Sequence, residues 1–136
     1  MVDVHLLHGT YLTEKGDDPL NIGIHELQQV TQQGTTVNRA KAYHQLAQTY
    51  LKQEKNGLAE AMLDSLYALL NQNNSPVYIQ LDYQPILNHY MKSKKQKKVE
   101  QYVGLMLQEQ QTFKAKKLKY NLVETIVDLQ TEQKKQ

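Results

Sequence analysis

Histidine is the residue type in this chain best suited to chemistry, and His5 and His8, three apart, would share one turn of a helix. Such a pair holds a metal ion only with further ligands nearby. His25, His44 and His89 are scattered, and no His-Glu-x-x-His pattern occurs. Cysteine is absent, which excludes thiolate zinc sites and disulfides. Ser65, Ser75 and Ser93 have turn or helix-packing explanations. No nucleophile stands beside a base in a recognisable motif, and no glycine-rich phosphate loop exists. No catalytic residue, metal site or cofactor is therefore expected. A small helical enzyme stays only as an alternative, because a triad assembles in space rather than in sequence.

Charge is the next signal. The net charge of +2 argues against direct nucleic-acid binding. Arg39 is the only arginine, and phosphate and carboxylate readers favour arginine for its planar fork of donors. The lysines are uneven: Lys92, Lys94, Lys95, Lys97 and Lys98 form one run, and Lys114 to Lys119 a second. The first run reads as a solvated turn. Its sharper reading is an acidic partner or a nearby anionic membrane surface, where each lysine adds about 1 kcal/mol. Of nine tyrosines, Tyr11, Tyr50 and Tyr90 are expected in the core, while Tyr78, Tyr102 and Tyr120 are interface candidates.

The elements that must position these residues read as helices. Asp3 caps a first helix to about Lys15, with Leu6, Leu7, Tyr11 and Leu12 inward at helical spacing. Gly16-Asp17-Asp18-Pro19 stops it and starts a second helix to about Gln33, with Leu20, Ile24, Leu27 and Val30 inward. Gly23 within that helix suggests a close crossing. Thr36 or Asn38 caps a third helix carrying Ala42, Tyr43, Leu46, Ala47, Tyr50 and Leu51. A turn at Lys55-Asn56-Gly57 leads to a fourth with Leu58, Ala61, Met62, Ser65, Leu66 and Leu69. Ser75-Pro76 starts a fifth, where Pro85 predicts a kink near Leu81 to Pro85 or a restart at Asp82. After a turn at Ser93 to Lys98, a sixth helix carries Val99, Tyr102, Val103 and Leu105 to Leu107. A seventh runs from about Phe113 to Glu132, with Leu118, Leu122, Thr125 and Leu129 at heptad spacing.

A period underlies these elements. Tyr11, Tyr50 and Tyr90 lie 39 and 40 residues apart, and Leu7, Leu46 and Ile86 keep both intervals, as do Leu12, Leu51 and Met91. Three registers in agreement mark a helical-hairpin array. The expected fold is all-α, one domain spanning 1–136: an antiparallel hairpin solenoid with units at about 2–34, 37–73 and 76–111 and a capping helix at about 113–132.

Val4, Leu7, His8 and Tyr11, then Tyr43, Leu46, Ala47, Tyr50 and Ala61, then Tyr83, Ile86, Leu87, Tyr90 and Val99 resemble the tetratricopeptide repeat pattern. The second set is the best match. The spacing exceeds the family's usual length of about 34 residues. The resemblance implies a non-catalytic protein- or peptide-binding module whose ligand lies in a groove lined by the first helix of each hairpin. Carried onto this chain, the groove positions are Lys41, His44, Gln45, Gln48 and Lys52, then Gln84, Asn88 and Lys92, with Leu81 and Pro85 among them and His5, Gly9 and Thr13 from the first unit. Gln48 and Asn88 offer donor and acceptor to a peptide backbone, and Lys41, Lys52 and Lys92 favour an acidic group or a terminal carboxylate. The family's carboxylate clamp is not reproduced, because His5 and Gly9 stand where Lys and Asn would be needed.

A second resemblance covers Tyr120-Asn121-Leu122-Val123-Glu124 to Thr131-Glu132-Gln133-Lys134-Lys135-Gln136. This run looks like the helix closing the repeat domain of bacterial sensor and transcription regulators. The ends, inside helical patterns, suggest a segment of a longer chain, periplasmic if it is the sensor part of a membrane-tethered regulator and otherwise cytoplasmic. A structural alternative is a homodimer through the last helix by Leu118, Leu122 and Leu129, because an apolar solenoid end needs a cap or a copy of itself.

Overall fold

Local sequence places the helix ends in the computed structural model, which describes residues 3–15, 20–72 and 79–135. The Asp3 carboxylate accepts from the Leu6 N–H at 3.2 Å and opens α1 (Val4–Lys15), as expected of a capping residue. After α2 (Leu20–Gln33), the cap of α3 (Thr36–Lys52) is Thr35, whose hydroxyl accepts from the Asn38 N–H. It stands one residue before the expected Thr36. Then follow α4 (Asn56–Leu70), α5 (Gln84–Lys92) and α6 (Gln96–Lys135). No strand occurs among the described residues, so the chain there is all-α. The Gly16 to Pro19 stop and the Ser75-Pro76 start lie outside the described residues, as do Val77 and Tyr78.

Two turns share one geometry. Among the described residues, Glu54 and Lys94 are the non-glycine residues with positive φ, 60° and 58°. At the first, the Glu54 N–H donates to the Leu51 carbonyl and the Lys55 N–H to that of Tyr50. At the second, Lys94 donates to Met91 and Lys95 to Tyr90. Both are Schellman turns with a left-handed residue that is usually glycine, and they lie 40 residues apart, as Tyr50 and Tyr90 do. The first turn is thus Gln53 to Lys55, not Lys55 to Gly57, and Gly57 belongs to α4.

Packing follows chain order: α1 on α2, α2 on α3, α3 on α4 and α5 on α6, with further contacts of α1 to α3 and α4 to α6. The α1/α2 crossing is closer than the apolar stripe implies. A Cβ at Gly9 would lie 2.8 Å from Leu27 Cγ, and one at Gly23 would lie 2.8 Å from Leu12 Cβ. A Cβ at either glycine would also lie 3.0 Å from the other's carbonyl oxygen, so the missing side chains let the two backbones approach closely. The face of α1 turned inward is therefore Leu6, Gly9, Leu12 and Thr13. Leu7 and Tyr11, expected inside, are 59% and 60% exposed.

The core has two parts. One joins Leu6, Leu27, Val30, Ala42, Leu46, Tyr50 and Ala59. The other gathers Leu63, Leu66, Ile79, Tyr83, Ile86, Tyr90, Tyr102 and Leu105. Tyr102, expected at an interface, is 1% exposed. Its ring stacks on Tyr90 at 5.9 Å and meets the edge of Tyr67 at 6.0 Å, and its hydroxyl donates to the Leu63 carbonyl. A buried tyrosine needs such a partner. Burial also pushes the hydroxyls of Tyr83, Tyr90 and Tyr102 well above the usual tyrosine range, so they stay protonated.

Pro85 stands in the first turn of α5, where its missing N–H is harmless. Residues 79–83 before it are not helical. This matches the expected restart, two residues later than Asp82. The Asp82 carboxylate accepts from the Gln84 N–H at 3.1 Å. The largest departure lies at the end. α6 continues unbroken through Phe113 to Lys135, so no separate capping helix forms from 113. Tyr102 and Leu105 bury its first half, whereas the described residues from Gln110 to Thr131 are all exposed.

Candidate functional site

Helices α1, α3 and α5 leave two hollows that meet at Asp82. The smaller, about 510 Å³, lies between α1, α3 and residues 80–82, with walls of Leu7, Tyr11, Lys41, His44 and Leu81. The larger, about 1060 Å³, lies between α3 and α5, with Gln48, Lys52, Pro85, Asn88 and Lys92 around it. The non-helical segment before α5 divides them because His44 holds it. His44 Nε2 lies 2.7 Å from the Asp82 carbonyl. A carbonyl only accepts, so this ring nitrogen carries the proton and donates. The tie joins α3 to the approach to α5 across 38 residues of sequence.

The expected groove residues divide accordingly. Lys41, His44 and Gln45 border the smaller hollow. Gln48, Lys52, Asn88 and Lys92 border the larger, and Gln84 stands at its edge, donating to Asn88 Oδ1 at 2.8 Å. Two of the eight have structural tasks. Gln45 is buried and donates to the Thr13 hydroxyl at 3.1 Å, joining α3 to α1. His44 is buried and committed to Asp82. Gly9 and Thr13, assigned to the groove by register, face inward instead. The Gln48 amide sits 3.3 Å from the same His44 nitrogen. That nitrogen already donates, so the amide N–H groups of Gln48 find no acceptor there. Asn88 uses its oxygen on Gln84 and keeps its N–H groups for the hollow.

The larger hollow is not simply basic. Lys52 and Lys92 share it with Glu54 and Asp82. Both charge signs beside paired amides suit a polar chain with donors and acceptors better than a bare anion. The lysine run is also partly engaged. Lys98 Nζ lies 2.7 Å from Asp64 Oδ1 and Lys95 pairs with Glu60, both on α4. Lys92, Lys94 and Lys97 remain exposed.

His5 and His8 are drawn to one carboxylate. His8 Nδ1 lies 2.7 Å from Glu26 Oε1, and His5 Nδ1 lies 3.7 Å from Glu26 Oε2. Among the described residues no group of three or more His, Asp or Glu is placed to hold a metal ion. Nor is any helix long and apolar enough to cross a membrane, among the same residues.

Sequence reasoning missed Leu7 and Tyr11 as lining residues. The usable signal was Gly9, which lies in register with neither of them on the helix and marks the side of α1 that touches α2. It also missed Glu109 of α6. Burial raises the Glu109 carboxyl above the usual carboxylate range, against the lowering effect of the Tyr83 hydroxyl and the Leu81 backbone. No family model, no curated protein and no solved structure matches the chain.

Proposed function

We propose that this chain is a non-catalytic protein- or peptide-binding module of tetratricopeptide-like hairpins, with its ligand lying along α1, α3 and α5. One observation carries the reading: the larger hollow between α3 and α5 is bordered by both Gln48 and Asn88, from helices 40 residues apart in register, with uncommitted amide donors. Two amides on neighbouring helices offer an extended peptide backbone both donors and acceptors. The exposed Leu7 and Tyr11 in the smaller hollow offer an apolar seat for one ligand side chain. The repeated Schellman turns support the hairpin repeat. The setting as the sensor or scaffold part of a larger bacterial signalling or transcription regulator rests on the resemblance of residues 120–136.

The test uses a displayed library of random peptides. Peptides enriched on the wild-type chain should lose binding at least tenfold to the double variant Gln48→Ala/Asn88→Ala, while the thermal midpoint stays unchanged. Both side chains lie at the hollow rather than in the core, so stability should not follow binding. Undiminished binding by the double variant would reject this site.

A further inference from the structure

The second half of α6 presents Leu118, Leu122, Ile126 and Leu129 to solvent at 72%, 61%, 47% and 57% exposure. Helix stability in proteins comes mostly from packing an apolar face, and a contiguous exposed apolar face marks an interaction surface. The question is what covers it. The charges on the same helix answer it, because they are segregated along the axis rather than around it. Lys114, Lys116, Lys117 and Lys119 come first, with no acidic residue from 110 to 123. Glu124, Asp128 and Glu132 follow, with no basic residue from 120 to 133.

We propose that this tail pairs with the tail of a second copy turned end for end about Leu122. A parallel, in-register pair would set lysine block against lysine block, and like charges facing across helices repel. The end-for-end pair sets each lysine block beside the acidic block of the other copy. The midpoint between residues 114–119 and 124–132 falls beside Leu122. In that pairing residue 109 of one copy comes level with residue 135 of the other, and the folded bodies, which precede the exposed residues from Gln110 on, sit about 39 Å apart along the helix axis. Leu118 comes level with Ile126 and Leu122 with itself, and the small Ala115 faces Leu129. An anionic lipid surface fits less well, because the acidic block would be repelled from it.

The experiment uses the whole chain, whose lack of cysteine makes single cysteine variants clean reporters. Light scattering should give twice the chain mass. Leu122→Glu should give a monomer with the buried tyrosine core intact by near-UV circular dichroism, since that side chain is exposed in the single chain and its charge would be buried in the pair. Under oxidation, Leu118→Cys alone should not cross-link: two copies of position 118 are about 12 Å apart along the pair, beyond the roughly 7 Å that a disulfide spans. Leu118→Cys mixed with Ile126→Cys should give a cross-linked dimer. A monomeric wild-type chain, any larger assembly, or self-linking by Leu118→Cys overturns the proposal. So does a monomer that sediments with phosphatidylserine vesicles. None of these readouts involves the α1/α3/α5 hollows, so failure here leaves the peptide-binding reading untouched.

Discussion

The two halves of α6 share one unbroken run of backbone hydrogen bonds and differ in almost everything else. In the first half, Tyr102 is 1% exposed among Tyr67, Tyr83 and Tyr90, and Lys95 and Lys98 reach α4 acids. In the second, Leu118 is 72% exposed and Tyr120 69%. Apolar content does not separate them, since both carry leucine, valine and tyrosine. What separates them is whether another helix lies opposite. The lesson is that a helix and its burial are distinct outcomes, one local and one tertiary.

The largest test of this contrast is a matched pair of truncations. Leu63 is fully buried against the Tyr102 side, and Leu63→Ala should cost about 2–5 kcal/mol in urea unfolding. Leu122→Ala, measured on dilute monomer, should fall within about 0.5 kcal/mol of wild type. A comparable loss from both would mean that the tail is part of the folded body.

Glycines sharpen the contrast at the next size. Gly23→Ala should destabilise by about 1–3 kcal/mol, because its Cβ would press on Leu12 and on the Gly9 backbone. Gly104→Ala, in α6 with nothing within 4 Å of its Cβ, should stabilise by up to about 1 kcal/mol through helix propensity. Thermal unfolding of both variants reads the two signs. Equal signs would remove the close α1/α2 crossing.

The smallest effect is a pH dependence at Glu109, the last partly buried side chain before the tail. Its carboxyl is held above the ordinary value by burial, so the folded state binds its proton more tightly than the unfolded state. That contribution is present in acid and is lost as pH rises through the unfolded value toward the folded one. Glu109→Gln should therefore match wild type near pH 4 and be more stable at pH 7. Denaturant midpoints at the two pH values check it, and a variant less stable at pH 7 would reverse the assignment.

Much of the helical layout was legible because it is local. Asp3 capped α1, Pro85 marked the start of α5, and Gly23 announced a close crossing. The 40-residue interval between Tyr50 and Tyr90 reappeared as two matching turns. Gln48, Lys52, Asn88 and Lys92 border one hollow between α3 and α5. Tertiary outcomes were not legible. α1 packs through Gly9 and Thr13, so Leu7 and Tyr11 line a hollow instead of the core. Gln45 and His44 hold elements together instead of facing a ligand. The seventh helix does not exist separately.

That last difference shows the division most plainly. No glycine or proline follows Gly104, so nothing in the local sequence breaks the backbone, and the change of apolar phase near Phe113 is a change of neighbours. By itself the sequence determined most of the helices and some of their ends, Asp3 and Pro85 among them, because hydrogen bonds and backbone sterics act within a few residues. Only the tertiary structure decided which face of α1 is inward, that Tyr102 is enclosed, and where burial along α6 ends, because each depends on a surface brought opposite from elsewhere in the chain.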